Sequence, residues 1–201
     1  MEQEKLAASL DFDGVLFPRI PAQLAIFRWA LLPWTYNQPL KTGQPITPEQ
    51  RANRDIRLPD KERGEFKRHL GRMVKPNMRE FIESLRVDTI FGNTGRSNNA
   101  SWTRMTEKHL RHGDVDNLFK KIYYKPAGVS SDRSKYWALR DMQEAGFKVT
   151  HYDDNAYTIR LLAPILPGVK FVIVEDLTSG LLFTRSTRAN FPNVSSIKLK
   201  C

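Results

Sequence analysis

Asp11 and Asp13 stand two residues apart in Asp11-Phe12-Asp13-Gly14-Val15-Leu16, directly after the apolar run Leu6-Ala7-Ala8-Ser9-Leu10. Alternate residues of a strand project to the same side, so these two carboxylates can converge on one point. Like charges that close repel unless they share a proton or bind a cation, and a divalent metal is the simpler solution. A carboxylate that coordinates Mg²⁺ and faces a phosphate can attack phosphorus, giving an aspartyl-phosphate. The second carboxylate can then protonate the leaving group and activate water. Gly14 removes a side chain where the backbone must turn beneath such a site. An ordinary β-turn uses the same residue types, and the motif alone leaves both readings open.

Three further segments bear on the choice. Val87-Asp88-Thr89-Ile90-Phe91-Gly92-Asn93-Thr94-Gly95-Arg96 reads as a second apolar strand ending in a hydroxyl residue and a glycine. A hydroxyl beside free backbone N–H groups suits phosphate oxygens. Arg96 could add bidentate hydrogen bonds to a substrate phosphate, or form a structural salt bridge. Ser134-Lys135-Tyr136-Trp137 places a lysine at a helix start, with Lys125-Pro126 as the competing candidate. An ammonium near the first site would offset the charge of carboxylates and phosphate. Lys148-Val149-Thr150-His151-Tyr152-Asp153-Asp154-Asn155 reads as a strand finishing in paired acids, which could complete a hard-oxygen metal site.

In this order and spacing the four segments resemble the haloacid dehalogenase-like (HAD) superfamily of phosphohydrolases, from about residue 6 to about residue 175. The resemblance implies Asp11 as nucleophile, Asp13 as acid/base, Thr94 as the phosphate-binding hydroxyl and Lys135, or else Lys125, as the stabilising lysine. It implies Gly95, Arg96 and Lys125 as substrate contacts, and Mg²⁺ held by Asp11, Asp13, Asp153 and Asp154. Lys75-Pro76-Asn77 with the following Met78 to Leu85 looks like the proline-started helix that commonly precedes the second motif. The adjacent acids of Tyr152-Asp153-Asp154-Asn155 depart from the commoner pattern, in which the second acid follows several residues later.

The elements that must carry these residues alternate between strand and helix. Strands are expected at Ala7 to Leu10, Lys121 to Tyr124, Val149 to Tyr152 and Lys170 to Val174, and helices at Ser97 to His112, Ser134 to Ala145 and Thr158 to Leu166. Such alternation implies an α/β fold, a Rossmann-like parallel sheet with helices on both faces and ligands beyond the carboxyl ends of its strands. The expected organisation is a HAD-like core of residues 1–17 and 74–201, with a small helical cap insertion at 18–73. Pro39, Gly43, Pro45, Pro48 and Pro59 punctuate that insertion, Thr47-Pro48-Glu49-Gln50 resembles a helix start, and Lys61 to Val74 reads as a further helix. In the family such an insertion usually chooses the substrate.

The 201 residues suit one α/β domain with a modest insertion, and the 40% hydrophobic content describes a globular chain. The single cysteine, Cys201, excludes an internal disulfide framework. The acidic start Met1-Glu2-Gln3-Glu4-Lys5 does not read as a secretory signal. Ala22 to Trp34 is interrupted by Arg28 and too short to span a bilayer, so it reads as a packed helix or, less simply, an interfacial one. A soluble, cytoplasmic protein without membrane insertion is expected.

The net charge of +10 favours anionic partners. Arg51, Arg54, Arg57, Lys61, Arg63, Lys67, Arg68, Arg72 and Lys75 crowd the insertion, although interspersed acids suit an ordinary solvated face equally. The expected substrate is a phosphorylated small molecule or nucleotide, with nucleic-acid phosphate esters as an extension. The competing expectation is a nucleotide- or nucleic-acid-binding protein of the same fold with little turnover. His109 and His112 read as an exposed polar pair, and His151 as a cleft-rim residue or a packed one.

Overall fold

The computed structural model describes residues 4–18, 73–175, 187–188 and 190–199. The insertion at 18–73, with its expected helices and most of its basic residues, therefore lies outside the described residues except at its two ends. The same holds for Ala22 to Trp34 and for Cys201.

Six strands form one sheet: β1 (Lys5–Leu10), β2 (Thr89–Ser97), β3 (Lys121–Lys125), β4 (Phe147–Asp153), β5 (Lys170–Glu175) and β6 (Val194–Lys198), in the order β3-β2-β1-β4-β5-β6. All five pairings are parallel. Parallel strands need crossover connections, and the first four links in chain order carry α1 (Met78–Ser84), α2 (Ala100–His112), α3 (Ser131–Glu144) and α4 (Ala156–Leu162), the link from β5 to β6 lying largely outside the described residues.

Strand alternation sorts the core into two layers. Ala7 joins Phe91, Leu139, Met142, Val149, Ile159 and Phe171 on one face, whereas Ala8 and Leu10 join Phe12, Phe17, Met78, Ile82 and Leu110 on the other. The first layer lies against α3 and α4, the second against α1 and α2. A sheet covered on both sides explains why β1 is fully buried from Ala7 to Leu10.

Because every strand runs the same way, all carboxyl ends open on one edge. The chain runs from β1 to β2 and β3 on one side, then crosses to β4 on the other. That reversal beside β1 is where an open α/β sheet leaves a crevice for ligands.

Helix starts are fixed by capping side chains. Asn99 accepts from Trp102 N–H at 3.1 Å, Ser130 from Arg133 N–H at 3.3 Å and Asn155 from Tyr157 N–H at 3.1 Å. These caps move the expected boundaries: α2 begins at Ala100, α3 begins a turn earlier at Ser131, and α4 spans Ala156–Leu162. Lys135 thus lies inside a helix, one turn from its start.

Thr94 is not the end of its strand, as the expectation held. β2 continues to Ser97 through an irregularity, with Thr94 paired to Tyr124 and Ser97 to Lys125. Gly95 and Arg96 occupy the shift, the kind of bulge that re-aims side chains beside sites.

Lys75 joins the described stretches on either side of residues 19–72. Its N–H donates to the Leu16 carbonyl at 2.8 Å and its ammonium to the Gly14 carbonyl at 2.6 Å. Among the described residues no helix is long and apolar enough to cross a membrane.

Candidate active site

The loop after β1 begins where the Asp11 N–H donates to the Tyr152 carbonyl of β4 at 2.9 Å. This bond sets Asp11 beside the end of the acidic strand. The loop folds back on itself through Gly14 N–H to the Phe17 carbonyl at 2.8 Å, with Phe17 N–H donating to the Phe12 carbonyl. Gly14 has φ +95°, and a Cβ there would stand 1.7 Å from Asp154 Oδ2. Only glycine accepts both the backbone and the space.

Three buried acids meet at this edge. Asp11, Asp153 and Asp154 each offer a carboxylate oxygen within 4.8 Å of the others, a grouping that could hold a metal ion. The Lys135 ammonium enters from α3, 2.6 Å from Asp153 Oδ2 and 3.2 Å from Asp11 Oδ2. Of the two candidate lysines, then, Lys135 reaches the acids; Lys125 is the last residue of β3, beside Ser97.

Asp13 stands apart from this cluster. Its carboxylate is gripped by Arg96, with Nε to Oδ2 at 3.0 Å and Nη2 to Oδ1 at 2.8 Å. Asp13 is thus one half of an ion pair, and of the two readings of Arg96 the salt bridge is formed. Thr94 is fully buried, and its Oγ1 accepts from Arg96 N–H at 3.2 Å. Gly95 passes so close to α3 that a Cβ would lie 2.6 Å from Ser131 Oγ.

A layer beneath the acids escaped the sequence reading. His151 is fully buried; its Nδ1 lies 3.0 Å from Ser9 Oγ and 3.1 Å from the Ser9 carbonyl, its Nε2 3.3 Å from Asp153 Oδ2. Of the two readings of His151 the packed one holds, with Nε2 turned toward Asp153. Strand alternation supplied the signal, since Val149, His151 and Asp153 form one buried row. Ser9 faces His151 because the two are register partners in the β1–β4 pair. His109 also differs from expectation: it is buried with its ring 5.8 Å from that of Phe17, whereas His112 is exposed.

The electrostatics separate the acids. Burial, reinforced by Asp153, Asp154 and Asp13, raises the Asp11 carboxyl well above its ordinary value despite Lys135. Burial also opposes the charge on Asp153, but Lys135 and His151 outweigh it and hold that carboxyl well below the usual range. Burial lowers the His151 imidazole and favours its neutral form. With all three acids ionised, one ammonium would leave two excess negative charges, which a divalent cation would balance. Hard oxygen donors suit Mg²⁺.

No protein-family model matches the chain, and the search of curated proteins gives no match. Solved structures do resemble it. A haloacid dehalogenase-like family hydrolase from Streptococcus pneumoniae matches with TM-score 0.53 and 14% identity, covering 96% of this chain and 94% of that one. A predicted phosphatase from Clostridium acetobutylicum matches with TM-score 0.59 and 13% identity, over 97% and 95%. A dehalogenase matches with TM-score 0.51 and 14% identity, over 98% and 94%. The chain has the fold these proteins share, a Rossmann-like α/β sheet of the HAD type.

Proposed function

We propose that this HAD-fold chain is a metal-dependent phosphomonoesterase working through an aspartyl-phosphate on Asp11. The observation that carries the reading is the convergence of Asp11, Asp153 and Asp154 around the Lys135 ammonium at the carboxyl edge of the sheet. Asp11, Asp153 and Asp154 would hold Mg²⁺, which when bound supplies positive charge to keep Asp11 ionised and to offset the phosphoryl oxygens.

An Asp11 oxygen attacks phosphorus, the bond to the leaving oxygen breaks, and that oxygen takes a proton from the Asp13 carboxyl. Asp13, now a carboxylate, removes a proton from water as the water oxygen attacks phosphorus. The bond to Asp11 breaks and inorganic phosphate leaves, with both acids restored. The Thr94 hydroxyl and the Gly95 backbone hold phosphoryl oxygens, and Lys135 neutralises charge as it develops. Residues 18–73 act as the cap that chooses the substrate, a phosphorylated small molecule or nucleotide drawn in by the basic field.

The test is a phosphate-ester panel in the presence and absence of Mg²⁺. Turnover should require the metal and cease with a chelator. Asp11→Asn, folded by circular dichroism, should lose at least about 1,000-fold in kcat. An active Asp11→Asn protein saturated with metal would sink the proposal.

A further inference from the structure

Arg96 is a buried cation outside the cluster of Asp11, Asp153, Asp154 and Lys135. Its side chain is 1% exposed, whereas that of its partner Asp13 is 30% exposed. A substrate arriving at the open edge can therefore reach the carboxylate but not the guanidinium behind it.

Each nitrogen of that guanidinium donates a hydrogen bond. Nε and Nη2 donate to the two oxygens of Asp13, and Nη1 donates to Thr106 Oγ1 on α2 at 3.0 Å. The guanidinium lies over the Phe17 ring, 4.3 Å from its centroid. Phe17 is also where the loop closes, as the bridge partner of Asp13 and the acceptor for Gly14 N–H. One side chain thus ties the acid loop at both ends to the floor formed by α2. The bulge after Thr94 aims it there.

A planar fork fixes the plane of a carboxylate as well as its distance, which a single ammonium cannot do. We infer that Arg96 is a positioning residue that fixes the Asp13 carboxyl for proton transfer, with Thr106 and Phe17 as its anchors. This rests on the acid/base role given to Asp13 in the preceding subsection. Arg96 does not itself bind phosphate.

The two half-reactions separate the possibilities. An aryl phosphate with a good leaving group transfers its phosphoryl group without needing a proton, whereas hydrolysis of the aspartyl-phosphate needs Asp13 as base. Arg96→Lys with Mg²⁺ and p-nitrophenyl phosphate should give a burst of nitrophenolate at nearly the wild-type rate. Steady-state turnover should then fall about 100-fold, the loss that a small misplacement of a catalytic group produces. The phosphorylated chain should accumulate by intact mass, with kcat/KM nearly unchanged and KM falling alongside kcat. With an alkyl phosphate the burst itself should slow, because the leaving oxygen then needs its proton.

Thr106→Val keeps the ion pair and removes one anchor. It should show the same pattern in milder form, and it carries the test if Arg96→Lys does not fold. A raised KM with intact kcat in Arg96→Lys would make Arg96 a substrate contact and overturn the inference. Equal losses in burst and steady state, or wild-type kinetics in both variants, would also overturn it. If the wild type forms no phosphorylated chain, the underlying reaction is wrong and the inference falls with it; a wild-type burst with unaltered variants rejects the role of Arg96 alone.

Discussion

Gly14 has no room for a single methyl group, and the reason joins the acid loop to the acidic end of β4. A Cβ would overlap Asp154 Oδ2, and the positive φ would strain any other residue. Gly14→Ala should lower unfolding stability by roughly 2 kcal/mol or more, read from urea midpoints. It should also weaken Mg²⁺ binding in calorimetric titration, since Asp154 must move to admit the methyl. The site was legible in the sequence to the extent that spacing governs geometry. Paired acids at strand ends identify Asp11, Asp153 and Asp154, which the structure brings together. What the sequence could not assign were partners from distant segments. Arg96 and Asp13 are 83 positions apart, and nothing local tells a phosphate contact from an ion pair. The sequence favours Lys135 over Lys125 as the stabilising lysine, and the direction of α3 is what brings Lys135 to the acids.

Between β3 and α3 the Tyr123 hydroxyl donates a short hydrogen bond to Asp141, which Lys121 also approaches at 3.3 Å. The bond from Tyr123, with help from Lys121, lowers the Asp141 carboxyl below its ordinary 3.8. A carboxyl lowered on folding stabilises the fold above its unfolded value and loses that contribution as pH falls through the folded one. Tyr123→Phe should therefore be less stable than wild type at neutral pH, and the gap should narrow on acidification below 3.8. Asp141 is more than half exposed, so solvent screening keeps the effect small; urea midpoints across pH would measure it. Elements of this kind were readable from periodicity. The alternation of strands and helices announces the parallel sheet, whereas the caps Asn99 and Ser130, which set the true helix starts, went unread. The bulge after Thr94 was not readable, because a strand that continues through an irregularity has the same local sequence as one that stops. β6 went unread, with Val194 and Ile197 as its sole large apolar residues.

For the whole molecule the net charge of +10 predicts how the reaction responds to salt. With a doubly anionic substrate, kcat/KM should fall as ionic strength rises while kcat holds, because screening acts on capture over about 10 Å at 0.1 M salt. Steady-state kinetics at several salt concentrations would show this, and a flat kcat/KM would deny the basic surface any part in capture. The contact between Lys75 and Leu16 has another consequence at this scale. The backbone leaves the core and re-enters it at points joined by one 2.8 Å hydrogen bond, however far it travels in between. Lengthening such an excursion adds only slowly to the entropy of closing it. The core is thereby insulated from changes in the stretch between Leu16 and Lys75, and under the proposed function a longer or shorter stretch there would alter selectivity without rebuilding the chemistry.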